Sequence, residues 1–254
     1  MPAIAKTRVD VLLVERGLVP SRERARAYIL AGRVLVSEQK IDKPSVLVAG
    51  DAPVRLLGDD MPYVSRGGLK LDAALTHWQI PVGGRACLDV GASTGGFTDC
   101  LLQHGAAHVT AVDTGFGQIA MKLRNDERVR LMERTNARFL EPGVLATGSK
   151  TTELTFLAMD VSFISATLLL GPVLAAAPSL TEAVVLVKPQ FEAGRGHVGK
   201  GGIVRDPDAH QLAIDKVAEC VHSLGWKVVE TIPSPITGAE GNREFLLYAR
   251  RPLQ

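Results

Sequence analysis

The sequence lacks the features that mark secreted and membrane-spanning proteins. Its 254 residues include three cysteines, Cys87, Cys100 and Cys220, an odd number without close spacing, which argues against a disulfide framework or a zinc site. The amino-terminal segment has no apolar core of a signal peptide, and the longest apolar stretch, LLLGPVLAAAP, is too short to span a bilayer. We therefore expect free thiols, no metal, no membrane partner and a soluble protein of the cytoplasm.

Net charge is also nearly absent, but basic residues cluster near the amino-terminal end. Lysine and arginine total 29 against 27 acids, so the net charge of +2 indicates no particular partner. Between residues 16 and 33, however, arginines accompany a single acid, Glu23, and these are Arg16, Arg22, Arg24, Arg26 and Arg33. Guanidinium groups bind phosphate bidentately and stack on unpaired bases, which suits RNA. A solvated helical face explains the same pattern equally well.

The elements predicted across residues 8 to 57 form a small α+β domain. RVDVLLVERG predicts a helix that stops at Gly17, and SRERARAYILAG predicts a second helix with Ser21 as its N-cap. RVLVS and APVRLL predict strands. The spacing of R-x-D-x-x-L, S-R-x-x-A and I-x-x-G-x-V-x-V resembles the S4 domain, a small RNA-binding module, and this resemblance implies an RNA-binding domain over residues 1–60. One departure is Ser37-Glu38-Gln39, where that family usually has an Asn-Gly turn.

From about residue 62 the pattern changes to that of an α/β domain. Seven apolar segments predict strands: ACLDVG, HVTAVDTG, RVRLMER, LTFLAMDVS, AVVLVK, WKVVETIP and REFLLYAR. The first five are joined by crossovers, which predicts a parallel sheet covered on both faces. The last two are separated only by SPITGAEGN, which predicts an antiparallel hairpin.

The segment CLDVGASTGGFTDCLL predicts a strand, a glycine loop and a helix that together bind a ligand. Gly91, Gly95 and Gly96 allow a tight turn and close approach of a ligand to the loop around Ser93, and the helix that begins near Phe97 offers free N–H groups. The spacing G-x-x-x-G-G departs from the G-x-G-x-x-G of dinucleotide sites, so a pyrophosphate cofactor is disfavoured.

Two acids at strand ends indicate which cofactor this loop binds. Asp89 precedes the loop by two residues, where a carboxylate suits an ammonium group, and Asp113 ends the next strand, where it can accept the hydroxyls of a ribose. This combination favours S-adenosylmethionine. An ordinary turn between strand and helix, without a ligand, is the alternative.

Four charged residues occupy strand ends or a helix start: Lys70, Asp160, Lys188 and Glu244. Asp160 and Lys188 end the fourth and fifth strands, and Glu244 begins the last strand, which is predicted to run antiparallel. Because the carboxyl ends of parallel strands share one edge of the sheet, these three side chains should converge there. Taken one at a time, each residue is better explained by a surface ion pair.

As a set, the four residues resemble the Lys-Asp-Lys-Glu tetrad of the FtsJ (RrmJ) ribose 2′-O-methyltransferases. The whole chain, with SRGGLKLDAAL, MDVSFIS and LVKPQFEAGR, is similar to the TlyA family. This resemblance implies a Rossmann-like seven-stranded methyltransferase domain over residues 64–254. It also implies methylation of cytidine 2′-hydroxyls in the ribosomal RNA of assembled subunits, and it places Asn136 near the adenine of the cofactor. Some members carry a haemolysin label.

The chemistry of a ribose 2′-hydroxyl explains why lysines are needed. This hydroxyl is a poor nucleophile at neutral pH, so its proton must leave as the oxygen attacks the methyl group in line. Desolvation and the neighbouring cation Lys70 favour a neutral amine on Lys188, which would then be the base, whereas Asp160 orients the amine and favours its charged form. Alternatively, both lysines stay charged and stabilise the developing alkoxide.

A basic, glycine-rich loop follows Lys188 and completes the predicted RNA surface. Its basic side chains include Arg195, Lys200 and Arg205, which could close over phosphate, and Arg66 in SRGGLK is a further RNA candidate. An uneventful mobile loop is the alternative. Two competing functions remain, a cytolysin and a non-catalytic assembly factor with an inactive methyltransferase fold. We expect a monomer.

Overall fold

The chain consists of two compact units, residues 1–60 and 61–254. We describe a computed structural model over residues 6–57, 61–141, 143–146, 153–238 and 241–252. Within these residues, every helix is too short or too polar to cross a bilayer.

The amino-terminal unit is a pair of helices packed on short strands. Its helices are α1 (Val9–Glu15) and α2 (Arg22–Leu30), and its strands are β1 (Lys6–Arg8), β2 (Val34–Val36), β3 (Gln39–Ile41), β4 (Leu47–Ala49) and β5 (Val54–Leu56). β3, β2 and β5 form one antiparallel sheet, and β1 pairs with β4. The Ser21 hydroxyl accepts the Arg24 N–H at 3.2 Å, which confirms the predicted N-cap of α2.

The β2–β3 hairpin forms although it lacks the expected Asn-Gly turn. Ser37 and Glu38, its two central residues, have φ angles of 49° and 62°. A tight two-residue turn of this kind needs positive φ at both positions, and side chains other than Asn or Gly adopt it at a cost in free energy. The hairpin therefore forms with Ser37 and Glu38 in place of Asn-Gly, and these two residues carry local backbone strain.

The larger unit carries six helices and seven strands within its described residues. The helices are α3 (Gly67–His77), α4 (Gly96–Gln103), α5 (Met121–Arg124), α6 (Thr167–Ala176), α7 (Pro189–Glu192) and α8 (Pro207–Ser223). The strands are β6 (Ala86–Val90), β7 (His108–Val112), β8 (Val129–Met132), β9 (Leu154–Met159), β10 (Glu182–Val187), β11 (Lys227–Pro233) and β12 (Phe245–Arg250).

These strands form one sheet in the order β11-β12-β10-β9-β6-β7-β8. β6 to β10 pair in parallel, whereas β12 lies antiparallel between β10 and β11. The predicted fold class is confirmed, including the terminal antiparallel hairpin. As a consequence, the carboxyl ends of β6, β7, β9 and β10 and the start of β12 meet at one edge.

Apolar side chains cover both faces of this sheet. On one face α3 and α4 contribute Leu71, Leu75 and Leu101, and on the other α6 and α8 contribute Leu169 and Val217, all almost completely buried. Because the central strands are buried on both faces, polar groups emerge only at strand ends. Charged side chains of the central strands therefore gather at the two edges of the sheet, and the carboxyl edge is one of them.

Candidate active site

The glycine loop between β6 and α4 lies at this edge and depends on its glycines. Gly91 has φ of 89°, and a Cβ atom there would lie 2.1 Å from the carbonyl oxygen of Asp160. Gly95 has φ of 95°, and its Cβ would lie 2.2 Å from the Leu123 side chain. Both contacts are far below van der Waals distance, and left-handed φ disfavours any side chain. Only glycine lets the loop pass this close to β9 and α5.

Asp89, at the end of β6, is a completely buried carboxyl group with one unused oxygen. The Thr98 hydroxyl donates to one oxygen at 2.6 Å, while the other has no hydrogen-bond partner among the described residues. Burial raises the pKa of Asp89 to about 7, and the charge of Asp160 adds to this shift, whereas the Thr98 bond opposes it. A buried oxygen without a partner fits a cationic group supplied by a ligand.

Asp113, after β7, is held in place by backbone N–H groups. The amides of Ser93 and Gly115 donate to its two oxygens at 2.8 and 2.6 Å. Ser93 adopts a left-handed φ of 48° in this arrangement. The carboxylate is thereby fixed against the glycine loop, and its remaining lone pairs can accept hydroxyl groups.

A cleft of about 280 Å³ opens beside the glycine loop. Its walls are residues 65–67 and 70, residues 91–94, 96 and 97, Asp160, and residues 236–238. Gly96 and Phe97 line this cleft, and their predicted contact with a cofactor stays a prediction. Asn136 instead lies outside this lining, and its side-chain oxygen accepts the Arg138 N–H at 3.0 Å. The suggested contact of Asn136 with adenine stays a prediction.

The four tetrad residues form two ion pairs at the same edge. Lys70 donates to the carboxylate of Glu244, and both residues are buried. The Nζ atom of Lys188 lies 2.5 Å from Oδ1 of Asp160. Lysine and glutamate are rarely this buried unless they are paired. The structure therefore brings together all four residues that the sequence singled out.

Two residues that neighbour the tetrad, Ser162 and Phe163, were not predicted from the sequence as site residues. The Ser162 hydroxyl accepts a hydrogen bond from Lys188 Nζ at 2.7 Å. Phe163 is 92% exposed, has φ of 65°, and lies 5.5 Å from the Phe191 ring between centroids. An exposed phenylalanine with a strained backbone beside charged residues is unusual for packing alone. The phenylalanine in MDVSFIS, within the loop that follows a predicted strand, was the sequence feature that could have pointed to Phe163.

Gly238 makes room for the Lys70–Glu244 pair. A Cβ atom at this position would lie 2.1 Å from an oxygen of Glu244. Next to it, the carbonyl oxygen of Thr237 accepts a hydrogen bond from the Arg66 guanidinium at 3.2 Å. Arg66 is therefore at the cleft wall, adjacent to the tetrad, while Arg195, Lys200 and Arg205 lie exposed on the loop after α7.

In the amino-terminal unit, several of the predicted RNA-binding arginines have intramolecular partners. Asp10 is completely buried, and Arg8, Arg22 and Arg26 approach its carboxylate to 2.9, 3.1 and 3.6 Å. The hydrogen bond from Arg8 is the main reason why the pKa of Asp10 lies well below its usual range. The sequence did not reveal that one aspartate organises this part of the arginine cluster.

The other arginines of the cluster contact backbone or an aromatic ring. Arg16 donates to the carbonyl oxygens of Gly50 and Ala52 at 2.6 and 2.7 Å. The guanidinium groups of Arg24 and Arg33 lie 5.3 and 4.6 Å from the centre of the Tyr28 ring. These contacts orient the side chains, and most of them remain partly or fully exposed.

One cluster of the described residues combines side chains that can ligate metals: Asp72, Cys100 and His104. His104 Nε2 lies 2.8 Å from an oxygen of Asp72. Burial raises the pKa of the Cys100 thiol, which disfavours the thiolate that a metal requires. All three cysteines are free.

Comparisons with known proteins show which families the two units match. The FtsJ-like methyltransferase family model matches residues 63–251, and the S4 domain model matches residues 7–54. The TlyA 16S/23S rRNA (cytidine-2′-O)-methyltransferase of Mycobacterium tuberculosis is 44% identical over 246 residues, which cover 96% of this chain and 90% of that protein. Hemolysin A of Brachyspira hyodysenteriae is 39% identical, over 95% of this chain and 98% of its own length.

A solved structure extends the match to three dimensions. A protein of Streptococcus thermophilus described as a hemolysin superposes with a TM-score of 0.74 at 41% identity, covering 98% of this chain and 90% of its own. The match thus spans both units of the chain. This chain belongs to the TlyA family of FtsJ-like methyltransferases that carry an S4 domain.

Proposed function

We propose that the chain transfers a methyl group from S-adenosylmethionine to the ribose 2′-hydroxyl of a cytidine in the ribosomal RNA of assembled subunits. The observation that carries this proposal is the pair of lysine–carboxylate contacts, Lys70–Glu244 and Lys188–Asp160, beside a glycine loop at one sheet edge. Relatives named as cytidine-2′-O-methyltransferases make cytidine the first nucleoside to test. Such a protein would work in the cytoplasm, where the subunits are.

Residues at the ends of β6 and β7 would hold the cofactor. The unused oxygen of Asp89 would accept the ammonium group, and Asp113 would accept the ribose hydroxyls. The loop at Gly91 and Gly95 would let the ligand lie against the backbone. When bound, the cofactor supplies an electrophilic methyl group. The chain supplies orientation, exclusion of water and management of the hydroxyl proton.

Lys188 would act on the attacking hydroxyl, and its neighbours would hold it in place. Asp160 and Ser162 both contact its Nζ atom, which leaves the amine little freedom to turn away from the cleft edge. From this position Lys188 would either take the hydroxyl proton or stabilise the negative charge that develops on the oxygen. Lys70, paired with Glu244, would add a second positive charge next to the cleft.

Basic and aromatic groups near the edge would hold the RNA. Arg66 lies at the cleft wall, and the exposed ring of Phe163 offers a face on which an unpaired base can stack. The exposed arginines of the amino-terminal unit would contact phosphates elsewhere on structured RNA.

The test is incubation of the purified protein with unmodified ribosomal subunits and cofactor labelled in its methyl group, followed by nucleoside analysis. We expect labelled 2′-O-methylcytidine from at least one subunit. Label found only on a base, or none on either subunit, would contradict the proposal.

A further inference from the structure

We propose that Glu192 is a positioning residue that holds the Asp160 loop and the Lys188 segment at catalytic distance. This inference rests on the proposed function, because it assigns a role to Glu192 through Lys188 and Asp160. Glu192 is only 4% exposed although it is charged, and it touches none of the tetrad residues in the contacts that the structure describes. Burying a carboxylate costs free energy unless it is paired or hydrogen-bonded, and the partners of Glu192 offset this cost.

Both oxygens of Glu192 bind the loop that follows Asp160. The Ser165 hydroxyl donates to Oε2 at 2.5 Å, and the Ala166 N–H donates to Oε1 at 2.7 Å. Ala166 is the residue from which α6 starts, and it has no side chain that could cap this helix. Glu192 therefore satisfies a free N–H at the start of α6 from a different part of the chain, where a negative charge is also favoured.

The same two segments touch at three successive places. Lys188 contacts Asp160 and Ser162, Phe191 contacts Phe163, and Glu192 binds the end of the loop. α7 is only four residues long, so Lys188 and Glu192 are one helical turn apart and move together. Fixing Glu192 against the loop therefore fixes the distance between the lysine amine and its carboxylate.

Lys216 secures Glu192 from the other side. Its Nζ atom donates to the backbone oxygen of Glu192 at 2.9 Å and lies 3.8 Å from the carboxylate. Lys216 belongs to α8, which packs on the sheet. The contacts of Glu192 with the Asp160 loop are therefore supported by the rigid core rather than by the exposed loop after α7. An error of about 1 Å in such a support can lower turnover about 100-fold.

Glu182 offers a matched control at the opposite end of β10. It too is a largely buried carboxylate with several partners, since Arg85 and Arg250 lie 2.5 and 3.0 Å away and Tyr248 donates to it. Loss of Glu182 should cost stability as loss of Glu192 does, but away from the tetrad. Comparing the two variants separates positioning from mere folding.

The experiment measures kcat and KM on ribosomal subunits, and binding of S-adenosylhomocysteine by calorimetry, for the full-length protein well below its unfolding temperature. For Glu192→Ala we expect kcat to fall about 30-fold with cofactor-product affinity within about twofold of wild type. Glu192→Gln, which can still accept from Ala166 and donate to Ser165, should recover kcat to within about threefold. Glu182→Ala should keep kcat within about twofold.

Three results would overturn the inference while wild type remains active: undiminished kcat in Glu192→Ala, an equal fall in Glu182→Ala, or no recovery in a folded Glu192→Gln. If Glu192→Ala does not fold, Ser165→Ala replaces it, with an expected fall of about fivefold, and unchanged kcat there counts against the role. An inactive wild type would instead reject the proposed function itself.

Discussion

The two units of the chain bury charge in opposite ways. In the amino-terminal unit, one fully buried aspartate, Asp10, meets guanidinium groups that are themselves half exposed. In the larger unit, Lys70 and Lys188 are buried, and each faces one acid at the edge of a cleft. The first arrangement fixes helices and leaves a cationic surface, whereas the second keeps two lysine amines out of water. Under the proposed function, buried charge is thus structural in one unit and chemical in the other.

The largest effect should come from breaking the chemical arrangement. We expect Lys188→Ala to lower methyl transfer to ribosomal subunits by about 1,000-fold or more, roughly 4 kcal/mol in activation free energy, because it removes the amine that is proposed to act on the hydroxyl, and among the described residues no other cation forms an ion pair with Asp160. Cofactor affinity should stay within about twofold. The exposed Lys227, at the start of β11, is the matched control, and Lys227→Ala should keep full activity. Equal loss of cofactor binding and turnover in Lys188→Ala would make Lys188 structural.

Breaking the structural arrangement should cost stability instead. We expect Asp10→Ala to destabilise the amino-terminal unit by about 3 kcal/mol, because three cations lose their common partner. Hydrogen exchange of the α2 amides should accelerate accordingly. Both tryptophans, Trp78 and Trp226, lie in the other unit, so the fluorescence-detected transition should not move. A shift of both probes would show that the charge stabilises the whole chain.

Asp10 should also make this unit sensitive to strong acid. The pKa of Asp10 in the folded protein lies below the usual range. The ionised form therefore contributes its full stabilisation at every pH above the pKa of an ordinary aspartate. Below the ordinary pKa the contribution declines as the pH falls, and it is lost completely once the pH has passed the lowered pKa. In Asp10→Asn, the loss of α2 protection in strong acid should disappear when hydrogen exchange is measured as a function of pH.

A smaller effect is expected at Asp89, whose unpartnered buried oxygen we propose as the site of the cofactor ammonium group. With a pKa of about 7, only the ionised fraction can pair with a cationic ligand, so cofactor affinity should be about tenfold lower at pH 6 than at pH 8. Without cofactor the sign reverses, because the raised pKa means that stability falls as pH rises from about 4 to about 7. Calorimetry on Asp89→Asn measures any pH dependence that belongs to the cofactor itself. An unchanged profile in that variant would contradict the role of Asp89.

The smallest effect should come from relieving the β2–β3 turn. Replacing Ser37 and Glu38 by Asn and Gly supplies residues that tolerate positive φ, and we expect a gain of about 1 kcal/mol in the amino-terminal unit. Glu38 also pairs with Arg55, but both side chains are exposed, so losing that contact costs little. Hydrogen exchange of the β2 amides measures the gain. Lower protection would show that the strained turn is compensated elsewhere.

The sequence predicted the sheet and the convergence of three tetrad residues because both follow from local patterns and strand order, whereas Lys70 joined the set through the resemblance to the FtsJ enzymes. Apolar runs located the strands, and the rule for carboxyl ends brought Asp160, Lys188 and Glu244 to one edge. The partners of charged groups could not be predicted in this way. Whether Arg22 binds Asp10 or RNA, and whether Glu192 faces solvent or the Asp160 loop, depends on packing between segments that are far apart in sequence.

The position of β12 has a consequence for how the active site comes into being. β11 is made before β12 but joins the sheet only through it, because β12 lies between β11 and β10. β11 therefore cannot pair with the sheet until β12 has been synthesised and has paired with β10. Glu244 enters with β12 and brings the partner of Lys70. A growing chain would thus form its glycine loop early and complete the set of Lys70, Asp160, Lys188 and Glu244 last, so under the proposed function methyl transfer begins only after β12 has joined the sheet.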